Sequence, residues 1–540
     1  MGDENNVSFT LQEYWKAIEE ENIDFIRVYL HKYARRYDHR DVNKGLCLAA
    51  KKNSTEIVRV ILTSPKTPNL NYLNENGSGV MHYAVEHGNI EMVGLLLDSG
   101  ALINSSDIDG FQPLHIAMRY GHANMVIYLI KRGAHTYAAR TIDKGFTPLH
   151  VGVHYQKLEA MKALLETGKM TVNVKTPLKQ GWQTSLHLAA KSSFYEGFAL
   201  LCQWDADLSA VDANGLRPIH SAASSDDPRI LEFLLKKGVD VEAEDHTGRR
   251  PIHCAVYSKR VQNVKLLIQH GVNVRTFENS GLLPLHGAVL CRSNEIVKLL
   301  LNAGADPNAR TKSPREETPL LIAASLGHTS IAETLLQAGG DAKLRSANNT
   351  TTLHKCQKMT RGEDRDRLVG LLIQYGAELN VFDKDRYTPL HNCVFQTVLD
   401  NFSFSTMSLL VQAGTVLHPG CKYSTDTSSP WPIRNSPLCW LVWRGYIDSA
   451  DYLVRSGWDV RGESWMYLPG KNEEQNKFHE MMRKLSRDVY PLTHLCRKEI
   501  RKIFLDITGG SEILSRINCL PLAPPVKDFL SLKERELKFT

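Results

Sequence analysis

Nine histidines stand at repeated places along the chain: His82, His115, His150, His187, His220, His253, His286, His354 and His391. Imidazoles can hold a metal ion or carry protons. A ligand set needs its members gathered around one ion, and successive members of this set are at least 33 residues apart. Such spacing spreads them along a stack of structural units. Each is therefore expected to bridge adjacent turns by hydrogen bonds, with no metal and no acid-base role.

Other combinations fare no better as chemistry. The ten cysteines stand singly and no Cys-x-x-Cys pair occurs, so neither a zinc ribbon nor a thioredoxin-type site is indicated. Asp107-Ile108-Asp109-Gly110 begins like a calcium loop, but Met118 stands where the twelfth-position Glu is required. It reads as turn chemistry, as does Asp212-Ala213-Asn214-Gly215. Gly77-Ser78-Gly79 lacks a third glycine, and no phosphate-loop motif exists. His494 beside Cys496 could suggest a thiol nucleophile, yet Cys496 falls in the apolar stripe of a helix. No catalytic residue and no cofactor are expected, and the chain reads as no enzyme.

Composition is ordinary, with 42% hydrophobic and 23% charged residues in 540. No run of about 18 apolar residues is present, so no membrane insertion is expected. The net charge is +6, too small to imply nucleic acid, and +3 of it lies within residues 491–540. The basic run His31 to Arg40 reads as a solvated helix end. The N-terminus shows no signal segment and the cysteines read as reduced, so a cytoplasmic or nuclear location is expected.

The histidines close a tetrapeptide such as Thr147-Pro148-Leu149-His150, Arg250-Pro251-Ile252-His253 or Thr388-Pro389-Leu390-His391. Cys47, Leu321 and Cys439 take the same place in three further copies, giving twelve with gaps of 33 to 37 residues and one of 48. Thr suits a helix cap and Pro the first helical turn. Small residues follow, as in Leu188-Ala189-Ala190, then a break such as Gly121-His122. A second helix ends in leucines, as at Leu299-Leu300-Leu301, before Gly304. Each unit is thus a helix pair with a polar turn, and it buries its apolar face only against its neighbours.

This pattern resembles the ankyrin repeat. The expected fold is all-α: an ankyrin-repeat solenoid of about twelve helix pairs. Residues 1–40 read as a degenerate N-terminal capping repeat, with Trp15 at the histidine place, and 41–460 as the array. The 48-residue gap holds a loop insertion near 418–437, rich in proline, with Tyr423 and Trp431. Residues 461–487 read as a linker, with an amphipathic helix over Glu473 to Leu485 carrying Phe478, Met481, Met482 and Leu485 on one side.

Residues 488–540 are too few for a reliable core of their own, yet they are patterned. Leu492, Cys496 and Ile500 form one helical stripe, widened by Leu495, Ile503 and Phe504. Leu520-Pro521-Leu522-Ala523-Pro524-Pro525 makes a stiff turn before Val526, Phe529 and Leu530. The segment resembles a SOCS box, a small helical domain. The resemblance implies elongin C binding through Leu492, Leu495, Cys496 and Ile500. It implies cullin-5 binding through Leu520, Pro521, Leu522, Val526, Phe529 and Leu530. Ala523 departs from the proline usual in that family.

Array first and box last is the order of the ankyrin repeat and SOCS box family. The resemblance implies a non-catalytic receptor for an elongin B/C–cullin-5–RING ubiquitin ligase. Its repeats would hold an unidentified target for ubiquitination and proteasomal degradation. Candidate target contacts are the aromatic and charged residues just after the small-residue motif: Tyr83, Arg119, Tyr120, His154, Tyr155, Tyr195 and Tyr257. The alternative is a ligase-independent ankyrin scaffold, its last helices capping the stack.

Overall fold

The computed structural model describes residues 10–32, 38–137, 145–356, 362–395, 402–417, 436–458, 460, 464–467, 470 and 472–487. Among these residues the elements are helical, and the β-pairings are the isolated bridges Leu73–Gly79 and Lys175–Thr184. Each of the twelve repeat positions falls in the first helix of a helix pair, from His39–Lys51 with Thr55–Leu62 to Pro437–Arg444 with Ile447–Arg455. The N-terminal segment forms a further pair, Leu11–Glu19 and Ile23–Lys32. Tyr14, Ile18, Ile26 and Leu30 are buried within it, and the Tyr14 and Tyr29 rings stack at 4.8 Å.

The chain divides into two compact units, Met1–Val272 and Asn273–Thr540. In the first, Leu114, Leu149, Leu186, Ile219 and Ile252 of the tetrapeptides are buried. So are Val126, Leu164, Phe198, Leu231 and Val264 of the second helices. Ala117, Ala189, Ala222 and Ala255 let neighbouring first helices approach closely. Gly152 takes this furthest: a Cβ there would lie 2.4 Å from Met118 Cε of the preceding repeat.

The second unit repeats the scheme, with Leu285, Leu320, Leu353, Leu390 and Leu438 buried. Its helix Glu473–Arg487 lies beyond the last repeat, with Phe478, His479 and Met482 buried. Gln475 Nε2 donates to the carbonyl of Val442 at 2.7 Å, so this helix packs on the final repeat. The insertion's Tyr423 and Trp431 lie outside the described residues, as does the side chain of Leu485.

The turns also join repeat to repeat. Asp107 Oδ1 accepts the amide of Phe111 at 2.7 Å, and Asp212 Oδ1 accepts those of Asn214 and Leu216 at 2.8 and 3.0 Å. These carboxylates close turns, as expected of them. In the first unit, Ile108 N donates to Gly77 O at 3.0 Å and His246 N to Asn214 O at 2.9 Å. In the second, Lys312 N donates to Gly281 O at 2.9 Å.

Candidate target-binding surface

The repeat histidines are structural. Nδ1 of His82, His115, His187, His220, His286 and His354 accepts the backbone N–H at the start of its own helix, at 3.0 to 3.3 Å. This is the reciprocal half of a capping box, with histidine in place of the usual glutamate. Nε2 then carries the hydrogen and donates forward: His115 to Phe146 O at 3.1 Å, His354 to Tyr387 O at 2.9 Å. Burial pushes the basicity of His82, His187, His220 and His354 down, and that of His150 and His286 to about 4. Among the described residues no His, Cys, Asp and Glu cluster could hold a metal. Burial raises the thiols of Cys47 and Cys393 to about 12, so they stay protonated.

The ends of the first helices present a different chemistry. Arg119 and Tyr120 end Pro113–Tyr120, while His154 ends Pro148–His154 and Tyr155 caps it. The small residues Ala117 and Gly152 draw these helices together, bringing Arg119 against the next repeat. Its Cζ lies 5.2 Å from the Tyr155 ring centroid, 5.8 Å from Tyr120 and 6.0 Å from Phe111. Phe146 and His154 meet edge to face at 5.6 Å, and His154 meets Tyr155 at 5.1 Å. Tyr120 donates to Glu86 Oε1 at 2.6 Å; burial and that carboxylate raise its phenol.

Four of the seven sequence-derived candidates thus come together: Arg119, Tyr120, His154 and Tyr155. Tyr83 does not join them. It is buried at 7% exposure and its hydroxyl accepts from Asn74 Nδ2 at 2.9 Å, so it supports its own turn instead of facing a partner. Tyr195 opens the second helix Tyr195–Gln203 under Arg229, 4.8 Å from its ring. Tyr257 ends a first helix three repeats beyond Tyr155 and stacks with Arg249 at 5.3 Å. Phe111 and Phe146 belong to the surface without having been singled out. Their signal was position, since each directly precedes a tetrapeptide, in the turn that faces the end of the first helix.

The second unit holds a polar pocket of about 350 Å³. Arg315, Glu317, His354, Lys355, Asp383 and Lys384 are among its walls. Lys355 and Glu317 form a largely buried ion pair of 2.6 Å, at 15% and 16% side-chain exposure.

Stacked helix pairs with a groomed surface at their first-helix ends define an ankyrin-type protein-binding scaffold. The ankyrin-repeat family model matches residues 15–107, 46–140, 101–176, 170–245, 219–311 and 285–383. A SOCS box model matches residues 489–531. The chain belongs to the ankyrin repeat and SOCS box protein family, and is a protein-interaction adaptor of the cullin-RING ligase type.

Among curated relatives, it is 33% identical over 94 residues to a Notch-regulated ankyrin repeat-containing protein of Xenopus tropicalis, covering 17% of this chain and 82% of that one. A Danio rerio protein of the same description is 34% identical over 94 residues, with 17% and 84% covered. The nuclear factor NF-kappa-B p105 subunit of Gallus gallus is 31% identical over 159 residues, with 28% and 16% covered. The elongin candidates Leu492, Leu495, Cys496 and Ile500 lie outside the described residues. So do the cullin candidates Leu520, Pro521, Leu522, Val526, Phe529 and Leu530. No helix among the described residues is long and apolar enough to cross a membrane.

Proposed function

We propose that this chain is the substrate-recognition subunit of an elongin B/C–cullin-5–RING ubiquitin ligase. The repeats hold a target protein, and the box recruits the ligase that ubiquitinates it and commits it to degradation. The SOCS box match at residues 489–531, placed after the array, carries this reading. Leu492, Cys496 and Ile500 supply the stripe that enters elongin C. One leucine lodged in a pocket contributes roughly 1.5–3 kcal/mol before ordering costs. The receptor contributes proximity, raising the effective concentration of target lysines near charged ubiquitin, and no catalytic group.

Copurification with elongins B and C tests the reading. The full chain should retain both, and Leu492→Asp with Cys496→Phe should lose them while the repeats melt unchanged. Retention of elongin by the double variant would sink the assignment.

In the scaffold alternative, the segment after residue 487 caps the stack. The packing of Glu473–Arg487 on the last repeat argues against that, because this helix already covers the final pair. Removal of residues 488–540 should therefore leave the melting temperature near that of the whole chain. A marked drop would favour the cap.

A further inference from the structure

We infer that Arg119, in its setting of aromatic rings, is the docking point for an extended acidic segment of the target protein. The inference rests on the receptor reading and names the chemistry of what the repeats would hold.

Arg119 is held by ring faces, not by an acid. Three rings lie within 6.0 Å of its guanidinium carbon. Stacking uses the flat faces of the guanidinium and leaves its in-plane N–H donors for a carboxylate fork. Among the described residues no carboxylate lies within ion-pair distance of Arg119, and none of its N–H groups has an acceptor. Glu86, the acid beside the cluster, is engaged by the hydroxyl of Tyr120.

The surroundings carry surplus positive charge. The Lys157 chain lies over Gly121, where a Cβ would meet its Cδ at 3.0 Å. Lys191 ends the next first helix, Ser185–Lys191, and is exposed. Neither is in an ion pair among the described residues. Tyr120 and Tyr155, at 40% and 37% exposure, add rigid apolar area beside the cation. Aromatic rings with an arginine at the centre are the composition of an interface hot spot. Neighbouring helices stack about 10 Å apart, so an extended segment of about six residues would cross from Arg119 to Lys191. Such a segment, with one carboxylate on Arg119 and others near Lys157 and Lys191, complements the surface in charge and reach.

The test uses the full chain, prepared with elongins B and C and also without them. Its probe is a fluorescein-labelled peptide of about twelve residues of Glu, Tyr and Ala, enough to span this face at about 3.3 Å per residue. The comparison probes are the same peptide with Gln for Glu, and a single-stranded oligothymidylate. The acidic peptide should bind saturably, and the Gln peptide roughly tenfold more weakly. Arg119→Gln should weaken the acidic peptide by about tenfold, and Arg119→Lys should recover only part, because lysine lacks the planar fork. The pair Lys157→Gln, half-buried over Gly121, with Lys191→Gln, exposed, removes two charges outside the apolar core and should weaken it about threefold at low salt.

Four results would overturn the proposal: no saturable binding of the acidic peptide below about 1 mM; equal affinity for the Gln peptide; an unchanged affinity in Arg119→Gln; or tighter, Arg119-dependent capture of the oligothymidylate. Elongin capture is read on the same samples. Its absence from the unaltered chain would sink the ligase reading alone, since peptide binding is measured on the repeats in either preparation.

Discussion

His187 Nε2 donates to the carbonyl of Leu216 at 2.9 Å, across the boundary between two repeats. Its Nδ1 faces the backbone N–H of Thr184 at 3.3 Å. One ring nitrogen must accept while the other donates, so the fold requires the neutral ring. A second proton would point Nδ1–H at another N–H.

Acid should therefore loosen the stack. In the unfolded chain a histidine takes its proton near pH 6.5. In the folded chain burial delays this, to about pH 4 for His150 and His286. Asp107 faces His82 and favours its proton, yet burial still prevails there. The unfolded state thus binds more protons, and stability rises with pH across this window. At pH 5 each histidine held near 4 costs about 2 kcal/mol relative to pH 8. The melting temperature should fall steadily from pH 6.5 towards 4. An unchanged melt at pH 5 would contradict the neutral-ring assignment.

Much of the fold was legible because the tetrapeptide encodes its own helix start. Pro148 suits the first turn, Leu149 the core and His150 the cap, so one period located a helix pair. Small residues such as Ala117 and Gly152 announced close helix approach. The surface was less legible. Tyr83 and Tyr155 are both aromatics that follow the repeat histidine of a first helix. One lies four residues earlier in its helix and turns into the stack, whereas the other caps its helix and faces Arg119. A period tells which residues share a face, but not which side chains of successive repeats meet. Phe111 escaped for that reason, since its partner Arg119 is a helix length away.

The Lys355–Glu317 pair yields a second prediction. Its side chains are mostly shielded, so either charge left alone is penalised. Glu317→Gln should lower unfolding stability by about 1–3 kcal/mol, less than for a fully buried pair. Replacing both, Glu317→Gln with Lys355→Met, should restore part of the loss. A double-mutant cycle in urea measures this, and additive losses would show that the pair is not coupled.

Left-handed helix ends offer a gain. Gly121 and Gly327 follow their first helices at φ 85° and 74°. Gln156, Ser193 and Lys259 take the corresponding place at φ 53°, 56° and 58°, where a Cβ is crowded. Replacing Lys259 by Gly relieves that strain but frees the unfolded chain. The net gain should be about 0.5–1 kcal/mol. Calorimetry of Lys259→Gly against Lys259→Ala separates backbone strain from loss of the lysine: only the glycine should raise the melting temperature.

The two halves of the C-terminal box should fail independently. The proposed elongin-binding residues Leu492, Cys496 and Ile500 precede Gly509-Gly510 in the sequence, and the proposed cullin-binding residues Leu520, Pro521 and Leu522 follow it. Replacing Leu520, Pro521 and Leu522 by Ala removes two apolar side chains and one proline from the proposed cullin contact. Each buried leucine contributes roughly 1.5–3 kcal/mol. Affinity for cullin-5 should therefore drop at least tenfold, with elongin B/C retained. Ala523 gives the complementary variant: Ala523→Pro restricts the backbone of the unbound chain and should strengthen cullin binding by about 0.4–1 kcal/mol. Surface-immobilised cullin-5 with the purified elongin-bound chain reads both changes. If the triple alanine variant binds cullin-5 as well as the unaltered chain does, these residues are not the cullin contact. The two leucines would then need another partner.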